Sequence, residues 1–135
     1  MRYLPLLALS FLATTTVKAS DESIIASLAP KISPIVISEA VSAMKCAQNH
    51  GVGKNASRIA IIDYTIPSKQ KRLWVVDLKA QKLLFEEFVA HGQGSGDDIP
   101  KAFSDRDGSH QTSLGLFLTD ATYQGCNALS LRLHG

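Results

Sequence analysis

The spacing of apolar residues changes at Gly51, and that change constrains the fold more than any other feature. Before it, Val36, Ala40, Ala43, Met44 and Ala47 recur at helical spacing, while Ser38, Glu39, Ser42 and Lys45 fill the opposite side. Ser33 followed by Pro34 reads as an N-cap with proline in the first turn. Gly51, after Asn49 and His50, supplies the stop. The predicted helix is therefore Pro34–His50, with His50 as a partner of the helix C-terminal dipole. The preceding Ser20–Lys31, punctuated by Pro30, reads as a leader into the domain.

Beyond Gly51 the pattern is that of strands. Arg58–Tyr64 and Lys71–Leu78 are rich in β-branched and aromatic residues and are joined across the turn cluster Pro67-Ser68-Lys69. Lys79-Ala80-Gln81 reverses the chain into Lys82–His91. Connections this short favour an antiparallel meander, with Trp74 in its middle strand as a core anchor. A Gly- and Asp-rich stretch follows as far as Ser113. Gly115–Thr119 and Leu129–Leu133 then read as two further short strands, with the turn at Tyr123-Gln124-Gly125. The fold class expected is α+β, mainly β.

The amino terminus points to export. Arg2 precedes the apolar run Leu4–Ala13, and Val17-Lys18-Ala19 presents small residues where a signal peptidase reads. The run is too short for a membrane span, which needs about 20 apolar residues. Residues 1–19 are thus expected to be a cleaved signal peptide and 20–135 the domain. The 135-residue chain carries a formal charge of +2. Removing Arg2 and Lys18 brings it to zero, so nucleic-acid binding, which needs a basic stripe, is not expected. An asymmetry remains: Ser20–Phe85 has nine basic and five acidic residues, and Glu86–Gly135 has three and seven.

Local motifs exclude more than they assign. Gly92, Gly94 and Gly96 fit neither a dinucleotide fingerprint nor a P-loop, and a mobile loop is the expectation. Asp105-Arg106-Asp107-Gly108 has its glycine fourth and Leu116 in the twelfth place, unlike a calcium loop. His91, His110 and His134 lack zinc-ligand spacing, so no metal is expected. No serine occupies a G-x-S-x-G elbow, and adjacent Ser109 and His110 point to opposite sides of an extended segment. Asn55-Ala56-Ser57 is a glycosylation sequon. Cys46, on a helix in an apolar context, is expected as an inert buried thiol. Cys126 follows Gly125 in a turn and is the one candidate nucleophile, although the sequence places no histidine beside it. Whether the two cysteines pair is left open.

Several runs together resemble a known family. They are Asp63-Tyr64, Pro67-Ser68, Lys71–Lys79, Val89–Gly96, Ala102–Asp105, Gly108–Phe117, Tyr123–Gly125 and Leu129–Leu133. The chain from about Ile32 to Gly135 resembles the murein L,D-transpeptidase catalytic domain, YkuD-like in the broad sense. The resemblance implies periplasmic or secreted chemistry on peptidoglycan. A cysteine attacks a tetrapeptide stem, releases the terminal D-alanine and holds the donor as a thioester. An amine from a neighbouring stem then resolves the thioester into a 3→3 cross-link. Histidine assistance and backbone N–H groups on the oxyanion serve the reaction, with no metal or organic cofactor.

The resemblance also has a gap. The family's V-H-G-A-like strand and S-x-G-C-P-like turn, which carry its histidine and cysteine, find no counterpart before Gly135, and Asp105 stands where the family usually has Asn. The expectation is an incomplete, C-terminally truncated domain that does not itself catalyse transpeptidation. The alternative is an envelope module that binds peptidoglycan without modifying it. On either reading Ser104, Ser109, His110 and Ser113 are the candidate contacts to stem peptides, or else satisfy backbone groups in their own loop.

Overall fold

The computed structural model describes residues 18–126 and 128–135. The apolar run of the expected signal peptide, Leu4–Ala13, lies outside the described residues.

Two helices open the domain. Helix α1 (Asp21–Leu28) replaces the expected leader. Ser20 caps it, accepting a hydrogen bond from the Ser23 N–H at 3.2 Å, and Asp21 and Glu22 lie in the first turn at the positive end of the helix. Eight residues offer only two turns of pattern, so periodicity alone does not reveal it. Helix α2 (Pro34–Asn49) follows the prediction, with His50 as its C-cap and Pro34 in the first turn. Ser33 occupies the N-cap position without a side-chain capping bond. The His50 ring nitrogen Nδ1 lies 2.8 Å from the Cys46 carbonyl, so the imidazole satisfies a carbonyl at the helix end, as expected.

Strands β1 (Arg58–Ile62), β2 (Leu73–Asp77) and β3 (Lys82–Glu87) form an antiparallel sheet in sequence order. Alternation buries Ile59, Ile61, Trp74 and Val76 on the face that meets the helices. There they pack with Ile25, Ile37, Val41 and Met44 into one core. Trp74 is 1% exposed, so the expected anchor holds. Each fully buried aliphatic side chain of this kind contributes about 1.5–3 kcal/mol. A bulge at Leu84 shifts the β2–β3 register, which pairs Val75 with Phe85 and Val76 with Leu83.

Strands β4 (Leu118–Gly125) and β5 (Ala128–His134) form a separate antiparallel hairpin. The turn falls after Gly125 rather than at Tyr123-Gln124-Gly125, which belong to β4. The expected strand at Gly115–Thr119 therefore starts later and runs much further. Threonine and tyrosine in Leu118–Gly125 favour extended backbone, which outweighs the turn tendency of Gln124 and Gly125.

Candidate functional site

Between the sheet and the hairpin, two loops lock together around Arg72. This residue precedes β2 and is fully buried. Its Nε and Nη2 donate to the Val89 carbonyl at 3.1 and 2.9 Å, and Nη1 donates to the Ile66 carbonyl at 2.9 Å. The guanidinium also lies 5.0 Å from the centre of the Tyr64 ring, a cation–π contact. Carbonyl oxygens and an aromatic face thus compensate a buried cation. Nη2 donates further to His91 Nδ1 at 2.8 Å, and His91 Nε2 lies 3.0 Å from the Gly96 carbonyl.

His91 leads into the glycine-rich segment, which is not the loose loop expected. Gln93–Ser95 forms a 3-10 turn packed against Ser109–Thr112. Gly94 N–H donates to the His110 carbonyl at 2.7 Å, and Gly92 N–H to Thr112 Oγ1 at 2.7 Å. Ser95 is buried, and its Oγ accepts the Thr112 N–H at 2.8 Å. A Cβ on Gly92 would stand 2.4 Å from the His110 carbonyl oxygen, and one on Gly94 would stand 2.6 Å from that of Ser109. Glycine is needed here for close backbone approach rather than for phosphate binding.

The four candidate contacts gather on the outer part of this clamp. Ser104 and Ser113 are tied by a bond from Ser113 Oγ to the Ser104 carbonyl at 3.1 Å. Ser104 Oγ accepts from the Arg106 N–H at 3.1 Å, and Ser109 Oγ accepts from the Gln111 N–H at 3.2 Å. These three hydroxyls hold backbone groups of their own loop. His110 is exposed and takes a left-handed backbone, with φ of 55°. Its carbonyl is turned inward to Gly94 while its ring stays at the surface.

The family model for the L,D-transpeptidase catalytic domain matches residues 28–135. The chain belongs to that L,D-transpeptidase family. No curated protein and no solved structure gives a significant match. The matched span of this L,D-transpeptidase domain takes in the core of the fold and the whole clamp. Family membership points to peptidoglycan as the substrate class, and no helix among the described residues is long and apolar enough to cross a membrane.

The two thiols of the L,D-transpeptidase domain stand apart from the clamp in the fold. Cys46 is exposed, not buried as expected, because helix α2 turns Val41 and Met44 inward and leaves position 46 on the solvent side. Its Sγ is 3.9 Å from His50 Nδ1. That nitrogen donates its hydrogen to the Cys46 carbonyl and has no lone pair left for the thiol. Cys126 is exposed and free in the hairpin turn, and the described residues contain no disulfide.

A mainly apolar cleft of about 430 Å³ lies elsewhere, between the end of α2, strand β1 and the base of the hairpin. Met44, Val52, Ile59, Phe117 and Leu118 help line it, and none of the four loop candidates does. The sequence reading missed both this cleft and the Arg72–His91 pair. Arg72 could have been suspected from its place between Lys71 and the apolar run Leu73–Val76, since a charge beside a buried strand needs partners.

Proposed function

We propose that the protein is an exported cell-envelope domain of the L,D-transpeptidase family. In this reading residues 1–19 direct export and 20–135 form the domain. The clamped loops present Ser104, Ser109, His110 and Ser113 as one wall of a groove for peptidoglycan stem peptides. The observation that carries this reading is the clamp itself. Hydrogen bonds from Arg72 and to Ser95, and the close approach of Gly92 and Gly94 to the backbone of residues 109–111, tie an otherwise irregular polar surface together. Preorganisation of that kind suits the recognition of a flexible peptide.

On the same reading the chain does not by itself form 3→3 cross-links. Thiol catalysis needs a base or positive charge beside the sulfur. The His50 nitrogen that faces Cys46 is committed to a carbonyl, and Cys126 sits in an exposed turn. Incubating the purified protein with tetrapeptide muropeptides should yield no 3→3 dimer, and a carbapenem should leave no mass adduct on Cys126. Either product would overturn this part of the reading. Sedimentation with isolated sacculi at moderate salt should retain the wild type, and His110→Ala with Ser109→Ala should weaken retention. Failure of the wild type to bind would sink the groove.

A further inference from the structure

His91 joins the buried cation to the glycine turn, and imidazole is a group that changes charge near neutral pH. Its ring is half-buried, with Arg72 on one side and the Gly96 carbonyl on the other. The bond to Arg72 allows one protonation state only. A guanidinium keeps its hydrogens and offers no lone pair, so His91 Nδ1 must accept from Nη2 across the 2.8 Å between them. The single ring hydrogen then sits on Nε2 and is donated to the Gly96 carbonyl at 3.0 Å.

A second proton on the ring goes to Nδ1. Two donors, each part of a cation, would then face one another at 2.8 Å. One partner has to leave, and Arg72 is the fixed one. It is fully buried, donates to the Ile66 and Val89 carbonyls, and lies 5.0 Å from the centre of the Tyr64 ring. No acid compensates the histidine, since among the described residues no carboxylate lies within ion-pair distance of its ring. The charged groups on the surrounding elements have other partners or face water. Lys69 pairs with Asp98 at 2.8 Å and Lys71 with Glu87 at 3.9 Å. Asp63 accepts from the Thr65 hydroxyl at 2.6 Å, and Asp97 and His110 are exposed.

We propose that His91 is a proton-operated latch on the clamp: the neutral ring ties Arg72 to Gly96 and closes segment 91–96, and the protonated ring swings out and frees it. What loosens is the turn that carries the Gly94 N–H to the His110 carbonyl at 2.7 Å and the Ser95 hydroxyl to the Thr112 N–H at 2.8 Å. Linkage gives the sign. The closed clamp excludes the second proton and the open one accepts it, so acid favours opening. A ring released to water titrates as any histidine, near pH 6.5, so between about pH 7.5 and 5.5 the open fraction should rise about tenfold. The latch operates whatever the outer loop contacts, so it is independent of peptidoglycan binding.

Nuclear magnetic resonance on the wild-type protein tests the latch. Long-range proton–nitrogen spectra at about pH 7.5 should show His91 with its hydrogen on Nε2. On acidification to about pH 5.5, amide-exchange protection at Gly94 and Thr112, corrected for the intrinsic pH effect, should fall about tenfold. The fall should track protonation of His91, while β1 and β2 stay protected. His91→Asn can place a carbonyl oxygen where Nδ1 stood and cannot titrate, so both amides should hold level protection over the same range. His134→Gln, in the hairpin, should respond as the wild type does. The wild-type measurements stand even if a variant folds poorly. A hydrogen on Nδ1 at neutral pH, level protection while His91 takes its proton, or the same fall in His91→Asn would overturn the proposal.

Discussion

Arg72 Nη2 and His91 Nδ1 stand 2.8 Å apart, and the direction of that bond is fixed. A guanidinium can only donate, so Nδ1 carries the lone pair and Nε2 the hydrogen, which points to the Gly96 carbonyl 3.0 Å away. One buried side chain thereby sets the tautomer of a histidine and, through it, the path of the glycine turn.

Replacing Arg72 tests how much of the clamp depends on it. Arg72→Met leaves the Ile66 and Val89 carbonyls without their buried donor. Each orphaned acceptor costs about 1–3 kcal/mol. Arg72→Lys keeps the charge but lacks the planar fork, so it should fall between wild type and Arg72→Met. Urea unfolding midpoints at neutral pH check the order.

Gly92→Ala should disturb the clamp more locally. Its Cβ would meet the His110 carbonyl at 2.4 Å, so one of the two loops must move. The expected loss is about 1–3 kcal/mol, typical of overpacking. Faster amide exchange at Gly94 and Thr112, with protection in β1 and β2 unchanged, is the expected signature. Uniform loss of protection would contradict a local effect.

Trp74→Ala removes the largest side chain of the core. The expected cost is about 3–5 kcal/mol, measured by chemical denaturation. A small effect would show that the helices and sheet collapse easily onto the space left behind.

The pH dependence follows from Asp77. The Ala80 N–H donated to its carboxylate, and then the neighbouring Arg58, hold its pKa below the usual carboxylate range. A carboxyl depressed in the folded state adds stability above its unfolded pKa of about 4, and that contribution fades as pH falls through the folded value. Wild type should therefore exceed Asp77→Asn near neutrality, and the two melting curves should converge in acid. A gap that persists at low pH would assign the effect to something other than charge.

Helix α2 and the meander were legible because their periodicities are long and their turn chemistry is explicit, with Pro34 at one end and Pro67-Ser68-Lys69 between strands. Helix α1 was hidden because eight residues carry little pattern. The family resemblance located the loop of Ser104–Ser113. No local rule could reveal that Gly92 and Gly94 touch the backbone of residues 109–111, because contacts across that separation are a property of packing. The exposure of Cys46 likewise escaped a reading from its helical, apolar context, because one position around a helix decides between core and solvent.

The chain has a single tryptophan, and it sits 1% exposed where the helices meet the sheet. Its emission should be blue-shifted in the native state and should report only on that junction. Fraying of the hairpin would leave the signal silent, so a fluorescence melt and a tyrosine or backbone probe can give different midpoints for the same sample. Where they diverge, the gap measures how loosely β4 and β5 are coupled to the rest of the fold.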